Sequence, residues 1–318
     1  MRRTPAAIRG VFERADLCHV ATTTPSGPHA TPMVFAFAGD RLWVTTSRRS
    51  VKAGAWSRDP RVAGVVRHGR EAVAFVGDVV RHDVLEAGTW GRSVREIPTV
   101  ALATARFTRK NARFFAGYAV DAHQVPLAWT PPGRMFAELR PERTALLRDL
   151  VVEDTWGTWG NRLPTKERFR ATRAGPDPLG ALPHAVREDL GRRGDGVLVL
   201  ETGAGVVAIP SAWAVSGSAL YAVLPASILA IADLSAPTVR AALEVDRSSW
   251  WRARDMLGTM VRGEGDVFLP SGLVAGGRSA ATVAREAGID PGAAAVVRIS
   301  ARSFVWWRGW SSGTVWVR

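Results

Sequence analysis

Hydrophobic and polar residues alternate through the first quarter of the chain in a pattern that predicts a meander of three strands. The strands read LCHVATTT, PHATPMVFAF and RLWVTT, with turns at residues 25–27 and 38–40. β-branched residues within the strands and glycine in the turns favour hairpins of this kind. The polar segment SVKAGAWSRDP then predicts a short helix that ends at Asp59-Pro60, and RVAGVV and EAVAFVGDVV predict two further strands.

The same order of elements returns from residue 195. GVLVLE, VVAIPSAWAV and ALYAVL predict strands, SILAIADLSAP predicts a helix, and TVRAALEV predicts another strand. The two segments match at a constant offset of 178, which places Pro32 on Pro210 and Gly39 on Gly217. The closing strands match at an offset of 160, which places Leu139 on Ile299. The pattern therefore predicts two tandem copies of one β-rich domain.

The segment between the copies is polar and contains several prolines, which is typical of a linker. We predict a first domain at residues 1–148, a linker with a short helix at 149–191, and a second domain at 192–318.

Composition narrows the class of protein. A chain of 318 residues with 47% hydrophobic and 22% charged residues is typical of folded globular proteins, which excludes disordered and fibrous classes. A single cysteine, Cys18, excludes an internal disulfide framework and fits a reducing compartment. We predict no secretory signal in the N-terminal segment, because charged residues interrupt it, and no apolar run of the ~20 residues that span a membrane. We therefore expect a cytoplasmic protein.

The net charge of +13 reflects arginine above all. The 42 basic residues comprise 39 Arg and only three Lys, which are Lys52, Lys110 and Lys166. The arginines are scattered and accompany no known DNA-reading motif, which argues against a nucleic-acid partner. A positive field of this kind would equally attract a phosphorylated small molecule.

The first copy resembles a known family. The features that carry the resemblance are Gly27-Pro28-His29, Pro32-Met33, residues 39–43 (GDRLW), Thr45-Thr46, Ser50-x-Lys52 and residues 59–62 (DPRV). Their joint order resembles the pyridoxamine 5'-phosphate oxidase-like split β-barrel family, whose members bind flavins and deazaflavins. The resemblance implies a mainly β (α+β) fold of two tandem split β-barrels with short helices. Because split barrels of this family commonly dimerise around the cofactor, we expect an intrachain pseudo-dimer or a homodimer.

The resemblance also implies a cofactor site at the end of the third strand and the start of the following helix. It implies phosphate contacts from Thr45, Ser47, Ser50 and Lys52, and backbone along the flavin ring around Met33. A helix start of this kind favours an anion. For Arg48 and Arg49 a solvated loop is an equal alternative. The candidate cofactor-binding residues are Pro32, Met33, Val34, Thr45, Thr46, Ser47, Arg49, Ser50 and Lys52.

The second copy lacks these groups. The positions matching Arg49, Ser50 and Lys52 are Ser227, Ile228 and Ala230, so we predict a degenerate site that does not hold the same cofactor. Its tryptophans are expected to pack on the first copy and its residues to wall the first copy's pocket. The tryptophans are Trp213, Trp250, Trp251, Trp306, Trp307 and Trp310, and the candidates for substrate or phosphate contact are Arg252 and Arg254.

The predicted function is an FMN- or deazaflavin-dependent oxidoreductase that acts on an unidentified small organic molecule. The tail and second strand differ from those of the vitamin-processing oxidase, so oxidation of pyridoxamine phosphate is not expected. No acid or base stands out as catalytic, and no metal site is predicted. The alternative is a non-catalytic protein that binds a flavin or haem. Candidate haem ligands are His19, His29, His68 and His82.

Overall fold

Six antiparallel strands close into a barrel in the N-terminal half of the chain. The computed structural model describes residues 4–83, 96–121, 133–166, 168–170, 176–248, 253–269, 273–275 and 280–317. The strands are β1 (Leu17–Thr24), β2 (Gly27–Ala38), β3 (Arg41–Ser47), β4 (Arg61–His68), β5 (Glu71–His82) and β6 (Arg134–Arg148). Their order is β3-β2-β1-β4-β5-β6, and pairing of β3 with β6 closes the barrel. A further strand, β7 (Val151–Trp156), extends the sheet beyond β6.

Four helices accompany the first barrel in the described residues. They are α1 (Ala6–Arg14), α2 (Val51–Arg58), α3 (Ile97–Lys110) and α4 (Ala112–Val120). The apolar face of α1 buries Ile8, Val11 and Phe12 against the barrel. α2 follows β3 directly, as the sequence predicts, and Ser50 caps its first turn by accepting a hydrogen bond from the Ala53 amide at 3.1 Å.

The C-terminal half repeats the barrel. Its strands are β9 (Arg193–Thr202), β10 (Gly205–Ser216), β11 (Ala219–Pro225), β12 (Thr238–Asp246), β13 (Leu257–Phe268), β15 (Ala294–Arg308) and β16 (Ser311–Trp316). β11 pairs with β15 to close it, and β16 extends the sheet. A short parallel pair joins β8 (Arg168–Arg170) to β14 (Leu273–Ala275). The described helices here are α5 (His184–Leu190), α6 (Ala226–Ala230) and α7 (Ala280–Glu286). The predicted fold class is therefore confirmed.

The strand registers repeat with the offsets seen in the sequence. Leu42 pairs with Leu139 in the first barrel, and Leu220 pairs with Ile299 in the second. Each barrel also has a bulge at a glycine, Gly77 in β5 and Gly263 in β13. A Cβ on either glycine would collide with a carbonyl oxygen of the neighbouring strand, so both bulges require glycine.

The two barrels pack against each other through one shared core. Val65 of β4 and Val207 of β10 belong to the same buried cluster, and β2 packs against β12 and β13. At this seam the Ala30 amide donates to the Met260 sulfur at 3.0 Å. Trp213 is buried in this shared core. The packing of the two barrels on each other forms the pseudo-dimer that the sequence predicts. β7 and β8 lie in the stretch assigned to the linker, and the domain boundaries at 148 and 192 remain predictions.

Candidate functional site

One cleft brings together nearly all the residues that the sequence singles out. It has a volume of about 210 Å³ and lies where β2, the end of β3 and the start of α2 meet. Eight of the nine candidates line it, and Arg49 does not. The lining candidates are Pro32, Met33, Val34, Thr45, Thr46, Ser47, Ser50 and Lys52. The barrel therefore assembles groups from three separate elements, although their role toward a cofactor stays a prediction.

Hydroxyl groups form one side of the cleft. The Thr46 and Ser50 hydroxyls lie 3.0 Å apart and share a hydrogen bond, and the Ser50 amide donates to the Ser47 carbonyl at 3.0 Å. This turn gives the chain the sharp change of direction between β3 and α2. As a result, three hydroxyl side chains and the first turn of α2 are near one another.

Lys52 supplies a cation to the cleft. Its ammonium group donates a hydrogen bond to the Thr31 hydroxyl of β2. Burial lowers the pKa of Lys52 to about 8; the charge of Glu244 acts in the opposite direction, whereas that of Arg134 lowers the pKa further. An ammonium group that is costly to keep charged gains most from a bound anion, because the anion offsets the lost hydration.

Arg134 is a second cation in the cleft, and the sequence reasoning missed it. It lies at the start of β6, opposite Ser47 in the ladder, and its guanidinium donates to the Thr45 hydroxyl at 2.7 and 3.0 Å and to the Thr45 carbonyl at 2.8 Å. The internal repeat contained a signal for it, since the offset of 160 places Arg134 on Ala294. Lys52 matches Ala230, so alanine occupies the positions of both cations in the second copy.

Apolar side chains also line the cleft. They are Pro32, Met33 and Val34 of β2, Phe114 of α4 and Met256. Met256 belongs to the second barrel, where the Gly309 amide donates to its carbonyl at 2.7 Å. The second copy therefore does wall the cleft of the first, through a residue that the sequence did not identify.

Three arginines considered from the sequence, Arg48, Arg49 and Arg254, are not among the described residues that line the cleft. Arg48 forms an ion pair with Asp83, with its Nε 2.7 and 2.8 Å from the two carboxylate oxygens. Arg49 is exposed, and its backbone amide donates to the Ser47 hydroxyl at 3.3 Å. Arg254 lies 3.5 Å from Asp255 and 4.0 Å from Asp121. Arg252, Trp250 and Trp251 fall outside the described residues.

The matching region of the second barrel is apolar. Val223, Leu224 and Pro225 replace the three hydroxyl residues Thr45, Thr46 and Ser47, and the side chain of Ile228 is fully buried where Ser50 stands in the first copy. At the positions that match Thr45–Ser47, Ser50 and Lys52, the second copy offers an anion neither a cation nor a hydroxyl.

None of the four histidines considered as haem ligands lines the cleft. The imidazole of His19 contacts Glu244 at 3.1 Å, and that of His82 contacts Glu138 at 3.2 Å. His29 is buried, and His68 is exposed.

His82, Glu96 and Glu138 bring ligand atoms within 4.8 Å of one another, the geometry of a candidate metal cluster. Arg41 and Arg140 form ion pairs with both Glu96 and Glu138. These arginines therefore already neutralise the carboxylates that would bind a metal ion. Within the described part of the chain, no helix has the length and hydropathy of a membrane span.

Comparison with known proteins confirms the resemblance for the first barrel. Residues 4–144 match the family model of pyridoxamine 5'-phosphate oxidase. No curated protein matches the chain.

Several solved structures are similar to this chain over less than half of its length. A pyridoxamine 5'-phosphate oxidase-related, FMN-binding protein from Nostoc punctiforme is 21% identical and covers 46% of this chain and 87% of its own, with a TM-score of 0.34. A FAD-binding protein from Mesorhizobium loti is 15% identical, covering 46% of this chain and 95% of its own, with a TM-score of 0.31. An F420 reductase is 20% identical, covering 45% of this chain and 98% of its own, with a TM-score of 0.29.

Proposed function

We propose that this chain, whose first barrel matches the pyridoxamine 5'-phosphate oxidase family, binds a phosphate-bearing flavin in the cleft and acts as an oxidoreductase on a small organic molecule. One observation carries the proposal. Two cations, Lys52 and Arg134, and a set of hydroxyl groups line the same cleft as several apolar side chains, and none of the described lining residues is acidic. A phosphorylated ligand with a flat, largely apolar ring has this combination of surfaces.

The residues present fit the phosphate end of such a cofactor. Lys52 and Arg134 would neutralise the phosphate, while Ser47 and Ser50 would donate hydroxyl hydrogen bonds to its oxygens. Lys52 donates to the Thr31 hydroxyl and Arg134 to the Thr45 hydroxyl, and a phosphate is a stronger acceptor than either hydroxyl. FMN is the cofactor that we propose first, and the deazaflavin coenzyme is the alternative.

The size of the cleft limits what it encloses. At about 210 Å³ it is smaller than the ~300–1,000 Å³ of pockets that surround a whole drug-sized ligand. The described residues would therefore hold the phosphate and one face of the ring, and leave the opposite face open to a substrate.

A bound flavin would supply the hydride chemistry. The chain's own residues would bind and orient: the backbone at Pro32–Val34 would run along the ring, and Phe114 and Met256 would exclude water from it. We assign no catalytic acid or base. We propose a cytoplasmic location for the chain. Its single cysteine, the buried Cys18, fits a reducing compartment.

Absorbance and fluorescence titration of the purified chain tests the proposal. We expect saturable binding of FMN, or of the deazaflavin coenzyme, at one equivalent per chain. Two equivalents would show that the second barrel is also a working site. A Soret band, or no binding of either flavin, would overturn the proposal.

Turnover separates an enzyme from a carrier. With reduced cofactor under anaerobic conditions, a panel of quinone, nitro and enone acceptors should contain at least one compound that is reduced faster in the presence of the chain. Tight binding without any such acceleration would favour the non-catalytic alternative.

A further inference from the structure

A second cavity lies at the seam between the barrels. It has a volume of about 200 Å³, and both copies contribute charged side chains to it. None of the described residues that line it also lines the cleft, so the two spaces are separate. The charged residues are His19 and Arg67 of the first copy and Asp195, Glu244, Asp246 and Arg247 of the second.

The internal repeat brings these groups together. In the first barrel His19 of β1 pairs with Val65 of β4, and in the second barrel the matching ladder pairs Val197 of β9 with Glu244 of β12. The histidine of one copy and the glutamate of the other therefore occupy neighbouring positions in equivalent ladders. Because the two copies pack on each other here, Nδ1 of His19 lies 3.1 Å from Oε1 of Glu244.

The carboxylate of Glu244 has one oxygen without a donor. Its side chain is fully buried, and its Oε2 has no hydrogen-bond partner among the described residues. The contact with His19 uses only Oε1. Burial lowers the pKa of His19, but the charge of Glu244 and the hydrogen bond to it outweigh burial and raise that pKa above its ordinary value. A buried oxygen that lacks a donor is costly, which favours a ligand that supplies one.

The two arginines of the cavity have only neutral hydrogen-bond acceptors among the described residues. The guanidinium of Arg67 donates to the Gly196 carbonyl at 2.6 Å, and that of Arg247 donates to the Arg193 carbonyl at 3.2 Å. Arg67 lies 3.9 Å from the exposed carboxylate of Asp195, which is beyond hydrogen-bond distance. Both guanidinium groups would gain from an added carboxylate, because hydrogen bonds between charged groups are roughly twice as strong as neutral ones.

This combination of charges determines which chemistry fits the cavity. A simple anion would lie near the carboxylates of Glu244 and Asp246, and a metal ion or another simple cation would lie near two guanidinium groups. A ligand with a positive and a negative group pairs with both sets. The cleft differs in this respect, since none of the described residues that line it is acidic.

The volume of the cavity limits the ligand to a small molecule. A water molecule takes about 30 Å³ in the liquid, so about 200 Å³ corresponds to roughly seven waters, or to a molecule of roughly seven non-hydrogen atoms. Pockets that enclose a drug-sized ligand are larger, at ~300–1,000 Å³. An α-amino acid with a small side chain combines this size with an ammonium group and a carboxylate.

We propose that the seam cavity binds a small zwitterionic α-amino acid. The ammonium group of the ligand donates to Glu244 and Asp246, and its carboxylate accepts from Arg67 and Arg247. Because both copies contribute to the walls, the bound amino acid links the two barrels and stabilises their packing. This site is independent of the proposed flavin site.

Isothermal titration calorimetry of the purified chain with glycine, L-alanine and L-serine tests the proposal. Two fragments of alanine are the matched controls, because propionate lacks the ammonium group and ethylamine lacks the carboxylate. We expect saturable binding of at least one amino acid at one equivalent per chain. Either fragment should bind at least about ten-fold more weakly than L-alanine, since each loses one set of charge-assisted hydrogen bonds. No saturable binding of any of the three amino acids, or equal binding of a fragment, would overturn the proposal.

Variants place the binding at the seam. Glu244→Gln removes the buried charge with little change of shape, and Arg247→Gln removes an exposed guanidinium, so each should weaken amino-acid binding by at least about ten-fold. Arg240→Gln is the matched control, because this exposed arginine donates to the Pro25 carbonyl at 3.0 Å and does not line the cavity. If Glu244→Gln does not fold, Asp246→Asn tests the same end of the ligand. Unchanged affinity in Arg247→Gln would contradict the assignment.

Thermal unfolding gives a second readout. The unfolding midpoint of the native chain should rise with amino-acid concentration, because the ligand binds only the folded state, and Arg247→Gln should lose most of that rise. Equal rises in both would indicate a general solute effect and overturn the proposal. Lys52→Ala, which impairs only the cleft, should keep the full rise. Failure of the flavin proposal would therefore leave this result unchanged.

Discussion

Removal of the Lys52 ammonium should weaken phosphate binding without affecting contacts to the flavin ring. In Lys52→Ala the cleft keeps its apolar wall of Met33, Phe114 and Met256 and loses one of its two cations. A charge-assisted hydrogen bond contributes about 1.5–3 kcal/mol, and each 1.4 kcal/mol is a factor of ten in affinity. FMN affinity should therefore fall by about 10- to 100-fold.

Riboflavin provides the matched comparison, because it has the same ring and lacks the phosphate. Fluorescence titrations of the native chain and of Lys52→Ala with both ligands form a cycle that isolates the contact between Lys52 and phosphate. Riboflavin affinity should change by less than about two-fold in the variant. Lys166→Ala is the control substitution, since Lys166 pairs with Asp266 on the second barrel, away from the cleft.

The pH dependence of the same titration tests whether the charge of Lys52 is responsible. Because burial holds the pKa of Lys52 at about 8, the native chain should lose FMN affinity as the pH rises through 8, and Lys52→Ala should lose that dependence. Equal losses for FMN and riboflavin, or FMN affinity that is unchanged in the variant, would refute the assignment of Lys52 to phosphate.

Three further predictions concern the rest of the cleft, the barrel and the seam. Arg134→Gln should weaken FMN by about ten-fold and leave riboflavin unchanged in the same titration, because it removes the second cation; parallel losses for both ligands would contradict this. Gly77→Ala should lower the free energy of unfolding by about 1–3 kcal/mol in chemical denaturation, since a Cβ meets the Arg140 carbonyl, whereas Gly203→Ala, which has open space, should change it little. Asp246→Asn should stabilise the chain by about 1–3 kcal/mol at pH 7 and by almost nothing at pH 4. Burial raises the pKa of Asp246 from 3.8 to about 6, so ionisation of this group destabilises the native chain progressively as the pH rises from about 4 to 6. Stabilisation of equal size at both pH values would show that the carboxylate's charge is not the cause.

Much of the fold could be predicted from local patterns. Alternating residues, glycine turns and the cap at Ser50 encode strands, hairpins and a helix start within short stretches of chain, so they are visible without any tertiary information. The offset of 178 between the copies then predicts the tandem arrangement, and the ladder registers reproduce it. The family resemblance of the first copy pointed to the hydroxyl and lysine part of the cleft, and this was possible because Thr45 to Lys52 lie within one short stretch of the sequence.

The rest of the site depends on contacts between distant parts of the chain. Arg134 reaches Thr45 only because β6 closes the barrel against β3, 89 residues earlier in the chain. The sequence alone determined the two barrels and one side of the candidate site in the first of them. Tertiary structure decided that Arg134 completes that side, that Met256 of the second barrel walls it, and that Glu244 faces His19 across the seam. The physical reason is that strand and turn preferences act over a few residues, whereas these contacts arise from barrel closure and from the packing of one barrel on the other.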